Sequence, residues 1–168
     1  AIGLADVAAG EVDVAVRYGR GTWPGLRARR LMPERLSVVC APSLVAGRRR
    51  PRSPADLLRY PLLVSHAQLP FEWDAWARQH DLDLGRAQTV HLHDYNIVVE
   101  AALAGQGMAM GRHRLIAAQL ASGALVEALP GTALDDPRIG WWFVSPRGPA
   151  APAAVAFQAW LAQAAAGG

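Results

Sequence analysis

The chain has 168 residues, a formal charge of +3, and 52% hydrophobic against 18% charged residues. That balance allows one domain or two small lobes with a packed core, and it excludes bulk disorder. All 17 basic residues are arginine, which reads as compositional bias rather than a nucleic-acid footprint. No apolar run approaches the ~20 residues of a membrane helix. The opening residues carry acids and no basic segment, so no signal peptide is visible. Cys40 is the sole cysteine, which excludes an internal disulfide and fits a reducing cytoplasm.

Ile2, Leu4, Ala5 and Ala8 suit one face of a short helix that Gly10 would stop. Residues 11–18 (EVDVAVRY) alternate and are valine-rich, predicting a strand, and 19–25 (GRGTWPG) predict a loop. Residues 36–40 (LSVVC) form a continuous apolar run, hence a buried strand. A loop or short helix begins at Ala41, and the basic run 48–52 follows. Ser53 and Pro54 then mark a helix start, as N-cap and first helical residue. Residues 61–65 and 88–92 predict strands, and 71–80 a helix carrying Trp73 and Trp76. Asp94 caps a helix to Ala104 with Ile97, Val98, Ala101 and Ala102 inward and Gly105 past its end. Strand 107–111, helix 113–122, strands 124–129 and 140–145, and a closing helix 152–166 complete the chain. In the last helix Val155, Phe157, Trp160 and Leu161 are available for packing. Strands and helices alternate, which argues for an α/β fold with mainly parallel sheet.

Four ordered segments carry a family resemblance. They are 10–19 (GEVDVAVRYG), 36–44 (LSVVCAPSL) followed by 53–57 (SPADL), 101–111 (AALAGQGMAMG) and 121–126 (ASGALV). In this order they resemble the effector-binding domain of LysR-type transcription regulators. Residues 17–26 (RYGRGTWPGL) are similar to the branch of glycine-cleavage activators and AmpR regulators. The resemblance implies a two-lobed fold like type 2 periplasmic binding proteins, with a ligand cleft between the lobes. Residues 1–38 and 137–168 would form lobe I, and 39–136 lobe II. It also implies that the DNA-binding module and the opening strand–helix–strand of lobe I lie outside this chain. A sheet edge left open in that way favours self-association.

The turn His93-Asp94-Tyr95-Asn96 is the leading site candidate, because a helix N-terminus concentrates free N–H groups and the resemblance puts it at the cleft. The bland alternative is an ordinary aspartate cap. Ser65 and His66 end one strand, and Tyr18 and Gly19 another, where ligands of open α/β sheets sit. Their alternative is loop residues bonded to their own backbone. Arg17 would suit a carboxylate-bearing effector. His91 and His93 share one face of a strand, but no further ligand set joins them, so no metal is implied. The glycines at 105, 107 and 111 follow a helix and precede a strand, the reverse of a dinucleotide loop; Gly105 caps the helix and Gly107 permits close packing onto the strand. No nucleophile elbow occurs, and Asp135-Asp136 before Pro137 reads as a turn. The arginine run 48–52 lacks interleaved aromatics and reads as solvated loop. Trp73, Trp76, Trp141 and Trp142 read as packing residues, the last two on opposite strand faces.

The expected function is a small-molecule sensor, not an enzyme, with no cofactor. It would be cytoplasmic, homodimeric or a higher homo-oligomer, off the membrane, and on DNA only through the separate helix-turn-helix module. A transport solute-binding protein of the same fold is the alternative.

Overall fold

A computed structural model describes residues 4–47, 50–65 and 71–166. The chain forms two compact units, Ala1–Glu34 with Asp136–Gly168, and Arg35–Asp135.

The first unit is a three-stranded sheet in the order β1-β8-β2, with β1 at Ala15–Gly19, β2 at Arg27–Pro33 and β8 at Gly140–Ser145. Both pairings are antiparallel. The helix α1 (Leu4–Ala8) ends before Gly10, whose φ of 78° is the left-handed conformation that glycine supplies there. Among its described side chains Val7 is buried and the expected Ala8 is exposed, while Ile2 lies outside the described residues. Val7 joins Leu26 and Val144 in a small core on one sheet face. β1 is shorter than expected, since pairing starts only at Ala15 opposite Val144. The 15-residue α5 (Pro152–Ala166) buries Ala154 and leaves Val155, Phe157 and Trp160 exposed, contrary to the expected packing.

β2 was not expected. Its sequence, RARRLMP, has no β-branched residue, yet it pairs along β8 with an irregularity between Arg30 and Met32. Arginines on an edge strand also block further pairing.

The second unit has a five-stranded sheet, β5-β4-β6-β3-β7. The strands are β3 (Leu36–Cys40), β4 (Leu62–Ser65), β5 (Thr89–Leu92), β6 (Met108–Arg112) and β7 (Val126–Glu127). β4 runs parallel to β5 and β6, while β3 runs antiparallel to β6 and β7. The α/β reading stands, but the described pairings are mostly antiparallel: only the β4–α2–β5 and β5–α3–β6 crossovers, with α2 at Phe71–Gln79 and α3 at Tyr95–Leu103, generate parallel neighbours. α3 packs Val98, Ala101 and Ala102 against Val39, Leu63, Ala109, Ile116 and Leu125. Ile97, expected inward, is exposed at 44%.

Pro54–Arg59 is a 3₁₀ helix rather than an α-helix, and its start is held by the Asp56 carboxylate, which accepts the Arg52 and Ser53 N–H groups. Helix α4 covers only Ala117–Ala121, because His113 N–H still bonds Arg35 across the sheet and the Leu115 and Ile116 N–H groups turn back to the Arg112 carbonyl. Gly105 takes φ 72° behind α3, as expected. Gly107 has a different close neighbour from the expected one: a Cβ there would lie 2.4 Å from the Pro61 carbonyl oxygen.

β3 is buried throughout, and burial pushes the Cys40 thiol up to about 11. Between pH 9.0 and about 11 the unfolded chain releases a proton that the folded chain retains, so stability falls as pH rises through that window. We expect no labelling of Cys40 by a disulfide reagent at pH 8 in the native protein and full labelling in denaturant; rapid native labelling, read by absorbance, would contradict this burial.

Candidate functional site

In an open α/β sheet, ligands gather outside the carboxyl ends of parallel strands, where successive connections leave in opposite directions. In the second unit the chain runs from β4 out to β5 and then back across β4 to β6. The carboxyl ends of these strands are Ser65, Leu92 and Arg112, and they are followed by the N-termini of α2 and α3 or by a turn.

Ser65 lies opposite Leu92 in the β4–β5 register. Its Oγ is buried and has no hydrogen-bond partner among the described residues. Burying a hydroxyl without a partner is costly, so a water or a polar ligand group at this edge would stabilise it. His66 lies outside the described residues.

Asp94 caps α3 as expected: one carboxylate oxygen accepts the N–H groups of Asn96 and Ile97 at 2.9 and 3.2 Å. This uses two of the donors that a helix start would otherwise offer an anion, and it places a negative charge there. Asp94→Ala should therefore cost about 1 kcal/mol, read by urea denaturation; an unchanged midpoint would show that the cap contributes nothing. Asn96 is exposed beside it. His93 is 89% exposed on its side chain, with Nδ1 3.8 Å from Asp94. His91 and His93 are both exposed, and among the described residues no group of three His, Cys, Asp or Glu side chains could hold a metal.

Tyr95 is tied into the frame. Its hydroxyl accepts the Arg112 N–H at 2.8 Å and donates to the Met110 carbonyl at 3.4 Å. Its ring lies 4.0 Å from the Arg112 guanidinium carbon. Arg112 Nε in turn donates to Glu72 Oε1 at 2.8 Å, with side chains 4% and 13% exposed. Glu72 belongs to the first turn of α2, where a carboxylate also suits the helix dipole. This Glu72–Arg112–Tyr95 network fixes the starts of both helices against the end of β6, next to the strand end that carries Ser65. Neither Glu72 nor Arg112 was singled out from sequence. The strand-end rule would have found Arg112 had the strand been extended one residue beyond Gly111.

In the first unit, Arg17, Tyr18 and Gly19 close β1. Tyr18 packs against Trp141 with ring centroids 5.2 Å apart, and the Gly19 carbonyl accepts the Trp142 indole N–H at 3.1 Å. Trp141 donates instead to Glu34, which is 2% exposed. Arg138 holds the Asp136 carboxyl below its usual range through side-chain hydrogen bonds of 2.7 and 3.0 Å. That contribution is present at neutral pH and is lost as acid protonates Asp136.

A Ser37–His113–Glu127 cluster has hydrolase residue types but not the geometry. Ser37 Oγ at 2.5 Å and Glu127 Oε1 at 3.6 Å both face His113 Nε2, whereas a relay needs the two ring nitrogens separately. No helix among the described residues is long and apolar enough to cross a membrane.

The LysR substrate binding domain family matches residues 3–166. The glycine cleavage system transcriptional activator of Escherichia coli K12 is 36% identical over 122 residues, 72% of this chain and 39% of its own length. The transcriptional activator AmpR of Pseudomonas aeruginosa is 36% identical over 119 residues, 70% of this chain and 38% of its own. The solved effector domain of Pseudomonas aeruginosa AmpR superposes with a TM-score of 0.77 at 31% identity, covering 96% of this chain and 75% of that one. The Citrobacter freundii AmpR effector binding domain gives 0.77 at 26% identity, covering 97% and 79%. The chain thus spans about two-fifths of the length of these curated relatives.

Proposed function

Because the chain belongs to the LysR substrate-binding domain family of transcriptional regulators, we propose that it is the effector-sensing and self-associating part of a DNA-binding regulator. The observation that supports ligand binding is the buried Ser65 hydroxyl, without a hydrogen-bond partner among the described residues, at the carboxyl edge of the parallel strands. The proposed effector contacts in the second unit are Ser65, His66, His93, Asp94, Tyr95 and Asn96; those in the first are Arg17, Tyr18 and Gly19. Tyr95 would act through its backbone, since its hydroxyl is engaged by β6. Asp94 disfavours an effector carboxylate at the α3 start, so Arg17 is the proposed partner for such a group. The two compact units are proposed to be the two lobes of the sensor.

The effector changes the regulator only by binding one arrangement better than another. In this reading the protein works in the cytoplasm as a homodimer or higher homo-oligomer, and DNA is contacted by a separate helix-turn-helix module. The curated relatives are transcriptional activators, which favours a sensor over a transport solute-binding protein.

A thermal-shift panel of small mono- and dicarboxylates and amino acids tests this. At least one should raise the melting temperature saturably, and Ser65→Ala with Asn96→Ala should abolish the rise. A rise that survives both changes would remove these residues from the site. In a gel-shift assay the chain alone should retain no DNA sequence-specifically; specific retention would overturn the division of roles.

A further inference from the structure

The first unit has a cavity of about 220 Å³ lined by Arg27, Arg29, Phe143, Ser145, Ala150, Val155 and Gln158. Strand register explains its composition. Arg27 pairs with Ser145 and Arg29 with Phe143, so these four side chains project from one face of the β2–β8 ribbon. Val155 and Gln158, one turn apart on α5, form the opposite wall. The floor is apolar: Phe143 is 2% exposed, and the Arg29 guanidinium carbon lies 5.2 Å from its ring centroid.

The polar rim is unspent. The side chains of Arg27, Arg29, Ser145 and Gln158 make no hydrogen bond or ion pair with a described residue, and no carboxylate lines the cavity. Two guanidinium groups, a hydroxyl and an amide therefore converge over an aromatic and aliphatic floor. The volume falls below the roughly 300–1,000 Å³ of sites that enclose drug-sized ligands.

We propose that this cavity is a second ligand site, distinct from the one at Ser65, and that it takes a small amphipathic anion. The anionic head sits between Arg27, Arg29 and Ser145, and a short apolar tail lies against Ala150 and Val155, above the buried Phe143 ring. The arginine fork suits an oxyanion in geometry as well as charge. This inference does not depend on the reading of the second unit, because all seven lining residues belong to the first.

Hexanoate is the probe, with hexanamide as its neutral counterpart, measured by isothermal titration calorimetry. Hexanoate should bind saturably below about 20 mM, and hexanamide about tenfold more weakly or worse. The double variant Arg27→Gln/Arg29→Gln should lose about tenfold in affinity for hexanoate. Both arginines are exposed, so its melting temperature should match that of the original chain. Ser65→Ala and Arg17→Ala should leave hexanoate affinity unchanged; Arg17 pairs with Trp142, on the other sheet face from Phe143. Equal binding of hexanoate and hexanamide, no hexanoate binding in that range, or undiminished binding by the double variant would overturn the proposal. So would loss of binding in Arg17→Ala or Ser65→Ala, which would assign hexanoate to the effector contacts proposed above. The hexanamide comparison needs no variant and stands even if a substitution disturbs folding.

Discussion

Arg112→Leu is expected to destabilise the protein by about 3–5 kcal/mol, the range for removing one partner of a buried ion pair. The guanidinium is enclosed at the end of β6, bonded to Glu72 and stacked on the Tyr95 ring. Leucine removes the cation but leaves the Glu72 carboxylate in the same poorly solvated place. The loss is thus mainly the stranded charge. Glu72→Leu alone should be comparably damaging, while the double change Glu72→Leu/Arg112→Leu should recover much of the loss, because neither charge of the pair then remains. Urea denaturation of the two single variants and the double closes the cycle. Additive losses would show that the pair is not coupled. The Tyr95 contact gives the network a functional side: loosening Arg112 frees the start of α3, so effector binding should weaken along with stability.

Trp76→Ala is expected to cost about 3–5 kcal/mol, as aromatic-to-alanine changes in a closed core do. Trp76 is fully buried on α2. It meets Trp73 edge-on at 6.0 Å and His80 at 4.6 Å between ring centroids. Its indole N–H donates to the Thr132 carbonyl at 2.7 Å, which anchors α2 to the segment after β7. Trp76→Phe separates the terms: the ring volume is largely kept, the hydrogen bond is lost, and the cost should fall to about 1–2 kcal/mol. Comparable urea midpoints for Trp76→Ala and the unmodified chain would contradict the burial of this residue.

Both effects concern residues whose roles were unevenly visible in the sequence. Trp73 and Trp76 sit at helical spacing and read as core, and both are buried. The continuous apolar run 36–40 has strand boundaries that match β3, because burial on both sides leaves a pattern in every residue, and the strand expected at 140–145 matches β8 although only part of it is buried. β2 left no such pattern. It is a strand because β8 offers a ladder, and arginines tolerate an exposed edge. Parallel and antiparallel pairing was likewise hidden, since neighbours in the sheet are distant in sequence. The order β1-β8-β2 brings residues 15–19 and 27–33 to either side of 140–145.

The site was legible in outline only. The Asp94 cap was readable because an aspartate before an apolar helix has a local mechanism, and the cap forms. Its consequence was not: the carboxylate takes donors that a ligand would otherwise meet. Glu72 and Arg112 are 40 positions apart and pair only through the fold. Ser65 is readable as a strand end, but the lack of a partner for its hydroxyl among the described residues emerges only once the strand has been packed.

The effector is proposed to occupy the carboxyl edge of the β5–β4–β6 strands. An amide-detected NMR titration with a ligand that raises the melting temperature tests it most directly. The resonances of Ser65, Asp94, Tyr95 and Asn96 should shift together and saturate with one dissociation constant. A stabilising ligand that leaves those four amides unmoved would show that the effector binds elsewhere.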